Sequence, residues 1–182
     1  MNIKGKTVLL RAIDKGDLEQ LHKWSNDPDI NYLLGGWHFP SSLQGQEEWF
    51  NSLSLNSLNQ RFAITIPGTG LIGMANLVDI NWKDRNAFHG MLLGESDFRG
   101  KGYGTDTVMA LARYAFEELG LNRLDTTIIS YNETSIALYT KKCGWKIDGV
   151  KKGYYFRKNQ WWDQILLGIT REDYNEWVKQ HN

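Results

Sequence analysis

A glycine-rich turn between an apolar strand and a helix is the part of this sequence best suited to chemistry. It spans residues 92–105 and reads LLGESDFRGKGYGT. Glycine lets successive backbone N–H groups turn toward one point because no Cβ blocks the approach, and the helix N-terminus adds the positive end of its dipole. Such a turn favours phosphate binding. It fits neither the Walker A loop nor the Gly-x-Gly-x-x-Gly dinucleotide turn, where Thr105 would occupy the place of the third glycine.

The turn does fit the pattern Arg/Gln-x-x-Gly-x-Gly/Ala, through Arg99, Gly102 and Gly104. A second segment, residues 132–145, opens with Asn132, has Tyr139 seven positions later and ends in a Gly-Trp pair. With these two motifs in this order, the sequence resembles the GNAT family, the GCN5-related N-acetyltransferases. Both ends of the chain are similar to the RimJ/RimL-like branch, so the resemblance covers nearly the whole chain. Residues 30–60 match least.

The resemblance implies a mixed α/β GNAT fold, with a mostly antiparallel central sheet splayed between two parallel strands and flanked by helices. It implies one domain over residues 1–182. It also implies acetyl-CoA as co-substrate, in a direct transfer to a primary amine within a ternary complex. In that family, backbone groups at the strand end polarise the thioester, the turn holds the pyrophosphate, and the Asn contacts pantetheine. The cofactor-binding residues implied here are Leu92, Leu93, Gly94, Arg99, Gly100, Lys101, Gly102, Tyr103, Gly104, Thr105 and Asn132.

Two residues are predicted to be catalytic. Tyr139 corresponds to the family tyrosine that lies near the sulfur, and a phenol can return a proton to a departing thiolate. His89 lies on the strand before the turn and titrates near neutrality, so it is a candidate base. Asp79 and Glu95 are competing candidates for the base, and polyamine acetyltransferases of this family have an acidic residue where His89 stands. Packing of the Tyr139 and His89 rings in the interior is the alternative interpretation of both.

The acceptor site is the least determined part. Trp37 and His38 follow two glycines in an aromatic loop that could cover an acceptor, and Asp79 is a third candidate for contact with it. The stretch 32–46 contains no carboxylate, which counts mildly against a polyamine. The acceptors left open are a small amine such as an amino sugar, and a peptide or protein N-terminus. A protein that binds acyl-CoA as a sensor or assembly subunit, without turnover, is the alternative to an enzyme.

Composition excludes other classes. Lys and Arg number 21, as do Asp and Glu, so the chain has no basic excess for general nucleic-acid binding. The single Cys excludes an internal disulfide framework, and no His, Cys or Asp spacing predicts a metal site. No signal peptide or membrane-length apolar run is evident, so we expect a cytoplasmic protein, with a homodimer as one arrangement of its edge strands. Residues 141–158 nevertheless contain seven basic residues and one acid, either a solvated face or an attraction for an anionic ligand.

These motifs need a scaffold of alternating elements. Apolar and β-branched runs predict strands over 7–11, 61–66, 71–80, 86–93, 124–130, 145–150 and 162–169. Helical periodicity and end signals predict helices over 17–25, 43–53, 105–119 and 132–143, with Asp17 as an N-cap and Gln20 completing its capping box. This order predicts a mixed α/β sheet with the glycine-rich turn at a strand end.

Overall fold

The computed structural model describes residues 1–36 and 39–181. Within these residues, eight strands form one sheet in the order β1-β2-β3-β4-β5-β6-β8-β7. Their bounds are β1 Ile3–Lys4, β2 Leu9–Arg11, β3 Gln60–Ile66, β4 Gly70–Asn81, β5 Asn86–Leu93, β6 Arg123–Ile129, β7 Lys146–Arg157 and β8 Gln160–Thr170. The helices are α1 Leu18–Ser25, α2 Pro28–Leu33, α3 Leu43–Asn51, α4 Tyr103–Arg113, α5 Glu133–Ala137 and α6 Arg171–His181. The mixed α/β class predicted from the sequence is confirmed.

The sheet opens between its two parallel strands. β5 and β6 pair at only three positions, from Asn86↔Arg123 to Phe88↔Asp125. On its other side β5 stays paired with β4 as far as Leu93. The sheet therefore divides after Phe88 and Asp125, which is the splay expected of this fold.

Helices cover both faces of the sheet. Ala63 and Ile64 are adjacent on β3 and both fully buried, yet they belong to different hydrophobic clusters. Neighbouring residues of a strand point to opposite faces, so each face has its own core. Trp24 of α1 packs in the cluster with Ala63, whereas Leu111 of α4 packs in the cluster with Ile64.

Two helices were absent from the sequence prediction. The Asp27 carboxylate accepts from the N–H groups of Asp29 and Ile30, and α2 begins at Pro28. Proline suits a first helical position because the N–H that it lacks would be unpaired there. α6 follows β8 directly and is started by reciprocal bonds between Thr170 and Asp173.

The capping box predicted at Asp17 is wrong in its partner. The Asp17 carboxylate accepts from the N–H of Asp14, at 2.8 Å, and forms a two-pronged ion pair with Arg11 at 2.7 and 2.8 Å. Burial alone would raise the pKa of Asp17, but these bonds outweigh it and hold that pKa below its usual value. Asp17 therefore anchors the start of α1 to Arg11 at the end of β2. Its partners are Arg11 and Asp14, in place of the predicted Gln20.

The two predicted long helices each change pitch. α4 continues as a π-helical turn over Tyr114–Glu118, and α5 continues as another over Leu138–Lys142. With these turns included, each of the two helices begins and ends within one or two residues of the predicted bounds. Such turns are rare and occur often at functional sites. The second one carries Tyr139.

Candidate active site

The glycine-rich turn has the backbone conformation that a phosphate cradle needs. Gly100 and Gly102 have φ angles of +74° and +87°, a region that side chains disfavour. A Cβ at either position would meet no atom within 4 Å, so the space outside the turn is open. α4 begins directly afterwards at Tyr103, and the first N–H groups of a helix have no partner within it. Lys101 and Arg99 are exposed on the same turn.

A carboxylate that sequence analysis missed fixes the first turn of α4. Asp106 accepts from the N–H groups of Lys6, Thr7 and Val8 at 2.7 to 2.9 Å, and from the Thr7 hydroxyl at 2.8 Å. These bonds outweigh the effect of burial and lower the pKa of Asp106. The negative charge is thereby directed at the β1–β2 connection. The sequence feature that could have indicated this role is the position of Asp106, an acidic residue in the first turn of a helix.

Gly104 brings the two sequence motifs together. A Cβ at this position would lie 2.8 Å from Leu138 Cδ1 and 3.4 Å from Met91 Cε. The absence of a side chain lets the start of α4 approach both β5 and the segment that carries Tyr139. The spacing of the turn motif did not reveal this packing role.

The end of β5 is clamped to α1 by Glu95. One carboxylate oxygen, Oε1, accepts from Gln20 Nε2 at 2.7 Å and from Lys23 Nζ and Trp24 Nε1 at 3.0 Å. The Trp24 indole also lies flat against Gly94, which leaves no room for a Cβ. Glu95, predicted as a competitor for the base, is thus engaged in holding the strand end from which the turn departs.

Tyr139 lies where the sheet divides. Its phenol lies beside Thr126, the first β6 residue beyond the last pair with β5. Its ring centroid is 5.8 Å from that of His89, the first β5 residue beyond the same pair, and 4.9 Å from that of Trp145. Only 4% of Tyr139 is exposed, and burial raises its pKa well above the usual value. The phenol is therefore protonated near neutral pH.

His89 is a buried neutral imidazole in this structure. It is 1% exposed, and burial lowers its pKa to about 4. Nδ1 lies 3.1 Å from the carbonyl oxygen of Asn76, whereas Nε2 has no hydrogen-bond partner among the described residues. The His89 ring packs against Tyr139 and is shielded from solvent. Its surroundings oppose the predicted role of a base that takes a proton from an acceptor amine.

Asn132 caps α5 and holds α2 in place. Its Oδ1 accepts from the N–H of Ser135 at 3.2 Å, and its Nδ2 donates to the carbonyl of Leu33 at 3.3 Å. The preceding residue, Tyr131, stacks on Tyr32 with centroids 4.5 Å apart. The segment after β6 is thereby joined to the end of α2, across the mouth of the divided sheet.

The predicted acceptor residues are not brought together in the described part of the chain. Trp37 and His38 lie outside the described residues. Asp79 is exposed at a β-bulge with φ +52°, and its N–H donates to Asn59 Oδ1 at 3.0 Å. The bulge lies near the beginning of β5, at the opposite end of that strand from Gly94. Among the described residues no three His, Cys, Asp or Glu side chains cluster as metal ligands.

The family assignment follows from a comparison with known proteins. Residues 7–146 match the model of the acetyltransferase (GNAT) domain. The chain belongs to the GNAT acetyltransferase family. It is an acetyltransferase. None of the helices described for this member has the length and apolarity that crossing a membrane requires.

Relatives and solved structures cover nearly all of this GNAT chain. An uncharacterised N-acetyltransferase of the SPbeta prophage of Bacillus subtilis is 29% identical over 170 residues, covering 93% of each chain. Spermidine N(1)-acetyltransferase of Vibrio cholerae is 25% identical and covers 92% of this chain and 95% of its own. The crystal structure of spermidine N-acetyltransferase from Vibrio cholerae, in complex with CoA and spermine, superposes with a TM-score of 0.86 at 24% identity. That match covers 93% of this chain and 98% of the other. It shows the common fold.

Proposed function

We propose that this chain transfers the acetyl group of acetyl-CoA to the primary amine of a small molecule, in a ternary complex. The observation that carries the proposal is the position of Tyr139 at the point where β5 and β6 separate. The open turn at Gly100–Gly102 follows the end of β5, one of the two strands that separate there. A thioester bound along the cleft, with its diphosphate at the turn, would have its sulfur near the phenol.

The residues divide the work by their chemistry. Backbone N–H groups of residues 99–105 would hold the diphosphate, and Lys101 and Arg99 would add charge beside it. Backbone groups at Leu92–Gly94 would polarise the thioester carbonyl, since Glu95 and Trp24 keep this strand end fixed. Tyr139 would donate its proton to the CoA thiolate as the C–S bond breaks. Asn132 would act mainly by holding α2 against the end of β6.

His89 is proposed as a positioning residue. With a pKa of about 4 it is neutral at working pH, and its ring supports that of Tyr139. Water in the cleft is then the acceptor of the amine proton, because the Glu95 carboxylate is bound by three donors of α1 and Asp79 lies at the opposite end of β5 from Gly94. An amine that enters already neutral needs no strong base.

The spermidine N(1)-acetyltransferase relative favours a small amine over a protein. A protein N-terminus, suggested by the RimJ/RimL-like resemblance, is the second acceptor class. The decisive measurement is release of free CoA from acetyl-CoA with a panel of small amines and of peptides with different N-termini. We expect release that depends on a small amine. Acetyl-CoA binding without amine-dependent release across the panel would instead identify a CoA-binding sensor.

A further inference from the structure

A pocket lies between α2 and the tip of the β7–β8 hairpin. Its volume is about 630 Å³, and it is lined by α2, by Phe39 and Pro40, and by the tip of the β7–β8 hairpin. It belongs to the same side of the molecule as the contact between Asn132 and Leu33 at the end of α2. The inference drawn from it rests on the proposed function, because it concerns the chemistry of the acceptor.

Tyr32, which lines the pocket, belongs to an aromatic stack. Tyr32 lies parallel to Tyr131, with an interplanar angle of 12°, and Tyr131 meets Trp162 edge-on at 4.8 Å. The Tyr131 hydroxyl donates to the carbonyl of Tyr32. These contacts hold the rings of Tyr131 and Tyr32 in place. The position of the pocket wall is therefore set by packing and does not depend on a flexible side chain.

A lysine lies over the ring of Tyr32. Lys158 Nζ is 4.2 Å from the ring centroid. Lys158 reaches this position from a two-residue hairpin turn in which it and Asn159 have φ of +48° and +58°. Such turns favour Asn and Gly, and left-handed backbone at other residues is costly and concentrates at functional sites.

The charge of the lining is positive. Among its described residues, the cations are Lys158 and Arg157, and the acid is Asp29. The guanidinium of Arg157 donates to the carbonyls of Leu34 and Phe156, so it is held at the wall. A polyamine carries only positive groups and would meet two cations and one carboxylate here. An anionic group would meet a fixed guanidinium and an ammonium.

We propose that this pocket receives an anionic group of the acceptor, so that the substrate is a small primary amine bearing a carboxylate or a phosphate. Lys158 and Arg157 recognise the anion, while the amine points toward the end of β6. This class differs from the polyamines that the Vibrio cholerae relative is named for. The proposal also gives a function, recognition of the anion, to the last two basic residues of the stretch 141–158.

The test compares amines that differ in the anion alone. Rates of CoA release at saturating acetyl-CoA would be measured for glucosamine against glucosamine 6-phosphate, for an amino acid against its amide, and for spermidine. Each kcat/KM is referred to the concentration of unprotonated amine. We expect at least one anionic member to exceed its neutral partner by about tenfold or more, as for a charge-assisted hydrogen bond. A preference within the glucosamine pair would identify the anion as a phosphate, and a preference within the amino acid pair would identify it as a carboxylate.

Two lysine variants provide the control. Lys158→Met should reduce kcat/KM for the preferred anionic amine about tenfold and that for its neutral partner less than twofold. Lys151→Met changes a lysine on the same hairpin that also lies over a tyrosine, Tyr154, but outside the pocket, and should change neither. Equal or better use of neutral or cationic amines, or equal loss in both lysine variants, would overturn the anion assignment alone. Absence of CoA release with every amine would overturn the proposed function as well.

Discussion

Replacement of Gly94 by Ala tests whether the strand end is held by Trp24. A Cβ at position 94 would lie 1.8 Å from Trp24 Cε2 and 2.2 Å from both Cδ2 and Cζ2. Carbon atoms in contact are normally about 3.5 to 4.0 Å apart. The indole is 2% exposed and its Nε1 donates to Glu95 at 3.0 Å. The ring must therefore move by more than about 1.5 Å within a packed core, and this bond is lost.

The magnitude follows from these two effects. Overpacking of a core costs about 1–3 kcal/mol, and loss of a hydrogen bond to a charged group costs about 1.5–3 kcal/mol. We expect Gly94→Ala to lower the free energy of unfolding by about 3 kcal/mol or more. For a chain of this length that corresponds to a Tm lower by roughly 6–12 °C. Displacement of the strand end should also raise the KM for acetyl-CoA.

Urea unfolding, followed by tryptophan fluorescence and by circular dichroism, measures this loss. Gly16→Ala is the matched control, because a Cβ there would meet nothing within 4 Å, and we expect a change within about 0.5 kcal/mol. In a Trp24→Phe background, the Gly94→Ala penalty should shrink by at least about 1 kcal/mol, since the smaller ring leaves more room. A penalty below about 0.5 kcal/mol, or one equal in both backgrounds, would refute the clamp.

Three further variants probe the site. Tyr139→Phe should lower kcat by a factor of about 10² to 10⁴ with little change in the KM for acetyl-CoA, measured by CoA release; an unchanged rate would remove the phenol from the mechanism. Gly102→Glu places a side chain at φ +87° and a negative charge in the cradle, so calorimetric titration should show weaker acetyl-CoA binding, and equal affinity would contradict the placement. His89→Gln should flatten part of the pH dependence of stability. The pKa of His89 is lowered from 6.5 to about 4 on folding, so its contribution is complete above pH 6.5 and falls by about 3 kcal/mol toward pH 4. Wild-type and variant unfolding curves that run parallel over this range would show that His89 is not buried in its neutral form.

The sequence by itself determined the frame of the site. Arg99, Gly102 and Gly104 specify a tight turn before a helix because each glycine permits a backbone geometry or an approach that other residues oppose. The spacing from Asn132 to Tyr139 fixes a helix-borne phenol after the next strand. Alternating strands and helices determined the mixed sheet. Each of these features depends on residues close together in the chain, so local physical rules suffice.

The tertiary structure decided which of the candidate side chains are buried or held in structural contacts. His89 and Glu95 have the types expected of a base, yet one is buried against Tyr139 and the other is bound by three donors of α1. Asp106 and Gly104 derive their roles from partners about 100 and 34 positions away in the chain. The pocket at Tyr32 combines α2 with a hairpin about 125 residues later in the chain. Burial and charge at such positions are properties of long-range packing, and no local pattern in the sequence carries them.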